Sequence, residues 1–135
     1  MSENITLEQA DRVIAAGVAQ AAAIGVPSTI SVLDAGGRLV AVKRQDAAPL
    51  ISIDASAAKA RTSVFFKSPT SGLTGAIQPG APLFTLGDAT SEPLAFIAGG
   101  LPLTDKTGNV IGAVGSSGGS PDQDQQVVDA AVAAL

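Results

Sequence analysis

Two occurrences of one pattern, a strand followed by a tight turn and a second strand, constrain the fold of this chain most. In the first, the β-prone runs Thr29–Leu33 and Leu39–Val42 flank the turn Asp34-Ala35-Gly36-Gly37. In the second, the runs 101–104 and 110–114 flank a turn that begins with Asp and ends with Gly-Asn. Strands joined by such short turns must pair antiparallel. The chain is therefore predicted to build a mostly antiparallel sheet.

Three helices complete the predicted order of elements. Capping-box patterns at residues 6–9 and 120–123 begin the first and last helices, and the second helix is predicted over Ser52–Lys67. Residues 68–93 carry several Gly and Pro and are predicted as a long loop, whereas Leu94–Ala98 is predicted as a further strand. The order α-β-β-α, loop, β-β-β-α predicts an α+β layered fold with helices packed on the sheet.

The composition limits the class of protein. The 135 residues fit a single domain, predicted over 1–135, and a chain with 46% hydrophobic and 15% charged residues is expected to fold. The net charge of −4 comes without runs of Lys or Arg, so no nucleic acid partner is expected. No stretch has the length and apolarity of a membrane span or a signal peptide. With no cysteine for disulfides, the predicted location is cytoplasmic.

Missing residue types exclude several kinds of site. The sequence contains no His, Cys, Tyr or Trp, and its one Met is Met1. Haem iron is normally bound by His, Cys, Met or Tyr, and zinc sites need His or Cys. Serine and cysteine triads would lack their base. We therefore predict no metal site and no cofactor, and Lys and the carboxylates remain for acid–base chemistry.

Lys59 is the first candidate functional residue. It lies in the middle of the second predicted helix, in a run of small residues that ends at Thr62. A lysine that faces a partly buried pocket there would anchor an anion or act as a base, and Thr62 is predicted as a ligand-binding residue on the same helix. A solvated helix face is the alternative that the sequence leaves open.

Two loops supply the other ligand-binding candidates. Arg44 and Asp46 follow the second strand, where a guanidinium and a carboxylate can reach over a sheet edge, although a surface ion pair explains them equally well. Ser116, Ser117 and Gly118 lie between the last strand and the last helix, where backbone N–H groups and the helix dipole favour an anion. An ordinary glycine-rich turn is the alternative there.

Asp124 stands in the first turn of the last helix. An acidic residue at this position stabilises the helix dipole, and the alternative is that it carries a proton in a reaction. We predict that Arg44, Lys59 and the Ser116 turn meet at one edge of the sheet around one anionic ligand. On this hypothesis, Lys59→Met would weaken ligand binding with little loss of folding stability.

Several of these residues belong to motifs in which the chain resembles the GlcG/HbpS family. The domain of this family also forms the carboxyl end of PduO-type cobalamin adenosyltransferases. The motifs follow one another along essentially the whole chain: Val32-Leu33-Asp34-Ala35-Gly36-Gly37, Arg44-Gln45-Asp46-Ala47, Lys59-Ala60, Gly99-Gly100-Leu101-Pro102, and Ile111 to Gly119 followed by Gln123-Asp124. The resemblance implies a profilin-like fold and assembly into dimers up to octamers. It also implies haem binding or degradation in some members and an unassigned role in catabolic operons in others. Because no His is present, His-ligated haem is not expected here.

Two functions from different classes follow. The first is a small-molecule-binding protein of a catabolic pathway that holds an anionic metabolite, most simply a carboxylate. The second is a small isomerase, lyase or hydrolase that acts on an organic acid, with Lys59 and Asp124 moving protons. A binding site needs only charge and shape, so the first is preferred. Helices rich in Ala and a core with only four Phe also favour a homo-oligomer, in which subunits bury further surface.

Overall fold

Both predicted hairpins are present, and they form one antiparallel sheet. In the computed structural model, which describes residues 3–135, β1 (Thr29–Asp34) and β2 (Leu39–Arg44) form the first hairpin. The second consists of β3 (Gly100–Thr104) and β4 (Val110–Ser117). The hairpins join through β1 and β4, so the strand order is β2-β1-β4-β3 and all neighbours are antiparallel. The predicted fold class is confirmed.

The two hairpin turns are held by the same pattern of hydrogen bonds. In each, an aspartate carboxylate oxygen, from Asp34 or Asp105, accepts backbone N–H bonds of 2.9 to 3.0 Å from the residues two and four positions later. A glycine with a φ of 80° in the first turn and 86° in the second adopts the left-handed backbone that the turn requires. The Thr107 hydroxyl, followed by the Asn109 backbone N–H, holds the pKa of Asp105 below its usual range.

The three predicted helices are α1 (Leu7–Ala23), α2 (Ile51–Phe66) and α3 (Pro121–Ala133). Both predicted capping boxes form with reciprocal hydrogen bonds, one between Thr6 and Gln9 and the other between Ser120 and Gln123. These bonds satisfy donors that every helix leaves unpaired at its N-terminus. Within residues 3–135, no helix has the length and apolar character needed to cross a bilayer.

The helices cover both faces of the sheet. Side chains of β1 alternate between the faces: Ile30 and Val32 belong to the main core with α1 and α3, while Leu33 packs with Ala60 and Val64 of α2. Because α1 and α3 share one face, that side carries most of the apolar core. Its buried members are Ile5, Ala10, Val13, Ile14, Ala21, Ile30, Val32, Leu103, Ile111, Val114, Val127, Val128 and Ala131.

The contact between α2 and the sheet is made mainly by small and polar side chains. The hydroxyls of Thr29 and Ser52 lie 2.8 Å apart, as do those of Ser31 and Ser56, and each pair joins β1 to the helix. A Cβ added at Gly115 would collide with the Ser56 carbonyl, so glycine there lets the helix backbone approach β4 closely. The buried residues of α2 are accordingly Ser, Thr, Ala and Lys, with Val64 as the one larger apolar member.

The prediction of a strand over Leu94–Ala98 is wrong, because this segment has an irregular backbone. Its backbone bonds to side chains rather than to a neighbouring strand: Ala95 N–H donates to the Thr62 hydroxyl, and Phe96 C=O accepts from the Thr74 hydroxyl. The Phe96 ring packs edge to face on Phe66, with the ring centres 5.7 Å apart. The long predicted loop before it contains three short 3-10 helices, at Thr70–Gly72, Thr74–Ile77 and Leu86–Ala89.

Candidate functional site

Lys59 and Asp124 form a buried ion pair. The Lys59 Nζ lies 2.7 Å from Asp124 Oδ2, and the side chains are 1% and 3% exposed. Lys59 belongs to α2 and Asp124 to α3, on the other face of the sheet. The pair therefore passes the end of the sheet and connects its two helical layers. The alternative of a solvated Lys59 is wrong.

Further hydrogen bonds hold both members of the pair in place. The Lys59 ammonium also donates to the Ser116 carbonyl at 3.0 Å, and the second carboxylate oxygen of Asp124 accepts the Gly119 N–H at 3.0 Å. Charged groups can be buried when they are paired and hydrogen-bonded in this way. The arrangement holds α2, β4 and α3 together at this point, and it leaves the Lys59 ammonium no solvent-exposed side from which to contact a ligand.

Two adjacent glycines make room for this pair. A Cβ at Gly99, whose φ is 119°, would lie 2.9 Å from Lys59 Nζ and 2.8 Å from the Ser116 carbonyl oxygen. A Cβ at Gly100 would lie 2.5 Å from the Lys59 carbonyl oxygen. The motif Gly99-Gly100 thus supports the ion pair by close approach. In the sequence the two glycines are part of the family motif, but the motif alone does not indicate this role.

The turn between β4 and α3 is already occupied by internal contacts. Gly119 N–H bonds to Asp124, and Ser120 N–H bonds to the Gln123 side chain at 2.9 Å. Gly118 packs so tightly on the Pro27 carbonyl that a Cβ would collide with it. The N–H groups of Gly119 and Ser120 are therefore not available to an anion, because the ion pair and the helix cap use them.

The hydroxyls predicted to bind a ligand are also internal. Thr62 Oγ1 donates to the Ala58 carbonyl and accepts the Ala95 N–H, both at 2.8 Å, so it anchors the irregular segment. Ser117 is 9% exposed. Ser116 is fully buried, and its Oγ has no hydrogen-bond partner among residues 3–135.

Arg44 and Asp46 lie elsewhere, on the rim of an open cleft of about 610 Å³. The cleft runs between the C-terminal end of α1 and the end of β2. Its lining residues are Val18, Ala21, Ala22, Gly25, Val26, Pro27, Lys43, Arg44, Gln45 and Asp46. Gln45 is fixed by two bonds of 2.9 Å to Ser28, one from its backbone N–H and one to its side-chain oxygen. The β2 wall of the cleft is therefore held rigidly against the start of β1.

Lys43 is a cleft residue that the sequence analysis missed. It pairs with Ile30 across the sheet, and Ile30 belongs to the core under α1 and α3. Paired residues of an antiparallel sheet share a face, so Lys43 faces the α1 side, where the cleft opens. Arg44, the last residue of β2, pairs with Thr29, whose hydroxyl bonds to Ser52 of α2, so Arg44 belongs to the opposite face and lines the cleft at the end of the strand.

The structure thus separates the predicted site into two groups. Arg44 pairs with Thr29, which pairs with Ser117, so Arg44 and Ser117 lie roughly 10 Å apart over two strand spacings. The distance alone would allow one ligand to reach both. Burial of the ion pair prevents it, since Lys59 is 1% exposed and does not line the cleft. The single site around Arg44, Lys59 and Ser116 is therefore corrected to a buried ion pair and a separate surface cleft.

Comparisons with known proteins agree with this fold over nearly its full length. Residues 5–133 match the family described as "Haem degrading protein HbpS-like". A 15.0 kDa protein of Citrobacter freundii, from the dhaT-dhaS intergenic region, is 39% identical over 128 residues, which cover 95% of this chain and 89% of the relative.

Two crystal structures extend the likeness to three dimensions. Protein ORFY of Klebsiella pneumoniae superposes with a TM-score of 0.94 at 36% identity, covering 99% of this chain and 92% of its own. PduOC, solved as a complex with heme, superposes with a TM-score of 0.92 at 32% identity, covering 98% and 95%. The chain therefore belongs to the HbpS-like family, the GlcG/HbpS family that its sequence motifs resemble.

Proposed function

We propose that this protein binds a small anionic metabolite, most simply a carboxylate, in the cleft between α1 and β2, and serves a catabolic pathway as a binding protein. The observation that carries the proposal is the cleft itself, because it combines an apolar wall with two cations. Val18, Ala21 and Val26 line the α1 side, and Lys43 and Arg44 line the β2 side. Ligand sites of this kind are mostly apolar with a few placed polar groups.

The charges define how a ligand would lie. The C-terminal end of α1 carries the negative end of the helix dipole and has no basic residue in its last turn. An anionic head group is therefore favoured at the opposite wall, beside Lys43 and Arg44, and an apolar body is favoured against α1. Asp46 on the same rim offers an acceptor for a hydroxyl or ammonium group of the ligand.

The enzyme alternative receives less support. An isomerase, lyase or hydrolase that uses Lys59 and Asp124 needs their charged groups to contact substrate. Lys59 instead bonds to Asp124 and Ser116 inside the protein, and neither charged side chain is more than 3% exposed. Binding needs only the charge and shape of the cleft, so it is the function that the geometry supports best.

The PduOC structure contains haem, so the cleft residues of this chain can be compared with the usual ligands of haem iron. The polar side chains that line the cleft here are Lys43, Arg44, Gln45 and Asp46, none of which is a usual axial ligand of haem iron. The full sequence has no His, Cys or Tyr, and Met1 lies outside the described residues. These residues do not fit a protein-ligated haem.

A thermal-shift screen of small mono- and dicarboxylates, with inorganic phosphate included, tests the proposal. A ligand at 100 times its dissociation constant stabilises the folded state by about 2.7 kcal/mol, which is readily detected. For a carboxylate that binds, we expect Lys43→Ala and Arg44→Ala each to raise the Kd at least about tenfold, or about 1.4 kcal/mol.

Lys106→Ala is the matched control, because Lys106 is exposed in the turn at the opposite end of the sheet. Equal affinity in the wild type and in the Lys43/Arg44 double variant would refute the cleft. Following the bound carboxylate by NMR over hours separates the two function classes, since an enzyme would convert it and a binding protein would return it unchanged.

A further inference from the structure

Gln45 is an uncharged polar residue of the cleft, and its carboxamide is held in one orientation. Its side-chain oxygen accepts the Ser28 backbone N–H at 2.9 Å, and its own backbone N–H donates to the Ser28 carbonyl at 2.9 Å. Because the Ser28 N–H can only donate, the carboxamide oxygen must face Ser28. The amide nitrogen therefore faces away from Ser28, and its two N–H groups donate to no atom of residues 3–135.

Asp46, the next residue, has the opposite hydrogen-bonding character. Its carboxylate is exposed at the rim of the cleft and forms no ion pair within residues 3–135. An ionised carboxylate can only accept hydrogen bonds. Since neighbouring Cα atoms are about 3.8 Å apart, the cleft offers a group that only donates directly beside a group that only accepts.

A tight turn keeps these two residues side by side. The Ala48 N–H donates to the Gln45 carbonyl at 3.2 Å, which closes a turn with Asp46 and Ala47 at its centre. Ala47 has a φ of 67°, a left-handed conformation that alanine rarely adopts. Unfavourable backbone of this kind persists only where the surrounding structure enforces it, and it is concentrated at functional sites. The turn therefore supports a binding role for the residues that it holds.

A hydroxyl group of a ligand matches this donor and acceptor together. A hydroxyl both accepts and donates, so it can accept from the Gln45 amide and donate to Asp46. A ketone oxygen only accepts and leaves Asp46 unpaired, whereas an ammonium only donates and leaves the Gln45 amide unpaired. Polar groups that end up unpaired in a binding site lower the affinity. The two residues therefore select a ligand by hydrogen bonding as well as by charge.

The hydroxyl would lie close to the carboxylate of the same ligand. Lys43 and Gln45 are two residues apart on backbone that pairs with β1 and its preceding residue, so their side chains leave the chain on the same side, about 7 Å apart. The Lys43 ammonium, on its flexible stem, and the Arg44 guanidinium can then bind a carboxylate next to Gln45. A spacing this short fits a hydroxyl on the carbon beside the carboxylate or on the carbon after it.

We propose that the ligand of the cleft is a 2- or 3-hydroxycarboxylate with an apolar side chain, and that Gln45 and Asp46 recognise its hydroxyl. Lys43 and Arg44 bind the carboxylate, and the apolar part contacts the α1 wall at Val18. Gln45 is on this account a specificity-determining residue, because its fixed amide distinguishes a hydroxyl from an ammonium. The inference rests on the proposed function and adds the class of acid to it.

Isothermal titration calorimetry with acids that share one carbon skeleton tests the inference on the full chain. The probes are 4-methylpentanoate and its 2-hydroxy, 3-hydroxy, 2-oxo and 2-amino derivatives. At least one of the two hydroxy acids is expected to bind about tenfold or more tightly than 4-methylpentanoate, or about 1.4 kcal/mol. The oxo and amino acids are expected to bind more weakly than that hydroxy acid, because each satisfies only one of the two protein groups.

Variants separate recognition of the hydroxyl from the structural role of Gln45. Gln45→Glu keeps the oxygen that accepts the Ser28 N–H and removes the amide donor, while its added charge weakens all the acids. The readout is therefore the ratio of the Kd of 4-methylpentanoate to that of the hydroxy acid, which is expected to fall to about threefold or less. Asp46→Ala is expected to lower the same ratio. Asp88→Ala is the matched control, because Asp88 is exposed and does not line the cleft.

Failure of this inference can be distinguished from failure of the proposed function. If the acids bind in a way that depends on Lys43 and Arg44, but 4-methylpentanoate or the amino acid binds as tightly as both hydroxy acids, only the choice of a hydroxy acid is overturned. A ratio that Gln45→Glu and Asp46→Ala both leave unchanged likewise refutes recognition of the hydroxyl. If none of the acids binds, or if Lys43→Ala and Arg44→Ala have no effect, the proposed function and this inference fall together. Circular dichroism confirms that each variant is folded.

Discussion

Lys59 Nζ lies 2.7 Å from Asp124 Oδ2, although the two residues are 65 positions apart and belong to helices on opposite faces of the sheet. The pair is the direct polar connection between α2 and α3 past the end of β4. The Ser116 carbonyl and the Gly119 N–H complete its hydrogen bonds. This relationship changes what substitutions at the pair are expected to do.

Lys59→Met is expected to lower the free energy of unfolding by about 3–5 kcal/mol, because it leaves the Asp124 carboxylate buried without its partner. The sequence alone suggested little loss of stability for this variant. Urea unfolding followed by circular dichroism measures the effect. The double variant Lys59→Met with Asp124→Leu removes both charges and is expected to lose less than the single variant. A single variant within about 1 kcal/mol of the wild type would show that the pair contributes little.

Gly99→Ala is expected to destabilise the fold by about 1–3 kcal/mol. Its φ of 119° is unfavourable for alanine, and the new Cβ would lie 2.9 Å from Lys59 Nζ. Gly72→Ala is the matched control, because a Cβ at Gly72 meets no heavy atom within 4 Å. Thermal unfolding of both variants tests the difference. Equal melting temperatures for the two would contradict the role assigned to Gly99.

Ser116→Ala is expected to leave stability nearly unchanged or to raise it slightly, because the Ser116 hydroxyl has no partner among residues 3–135. Ser56→Ala provides the contrast, since it strands the Ser31 hydroxyl with which Ser56 pairs at 2.8 Å. The expected cost of Ser56→Ala is about 1–3 kcal/mol. Denaturant unfolding compares the two. A large loss in Ser116→Ala would reveal a bound water that uses this hydroxyl.

Haemin added to the purified protein is expected to give no sharp six-coordinate low-spin Soret band and no stoichiometric saturation. The reason is chemical, since the sequence lacks His, Cys and Tyr. Absorbance titration measures this directly. A variant that lacks Met1 removes the remaining usual ligand type. A clean low-spin spectrum that survives this deletion would show that another residue type ligates the iron.

Local patterns were sufficient for most of the fold. The capping boxes at Thr6 and Ser120 and the Asp-containing turns at Asp34 and Asp105 depend on atoms within four residues, so they could be identified from sequence. Leu94–Ala98 misled the prediction because an apolar run does not specify its hydrogen-bond partners. Thr62 and Thr74 side chains supply them here.

The candidate site depended on distant contacts. Lys59, Asp124 and Arg44 could be selected from sequence as charged residues in unusual positions, and the missing residue types excluded metal and haem ligation by the usual side chains. Their spatial relationship followed from the sheet order. Pairing of β1 with β4 places the Ser116 carbonyl beside Lys59 in the middle of α2, where Lys59 also reaches Asp124, while Arg44 ends on the outer strand.

The sequence by itself determined the hairpins, the helix ends and the chemical groups available, because these are set by neighbouring residues and by composition. Only the tertiary structure decided which of those groups meet. Whether a lysine is an exposed ligand anchor or one half of a buried ion pair depends on the desolvation of its ammonium. That desolvation is set by side chains from α2, β4 and α3, which come together only when the sheet is assembled.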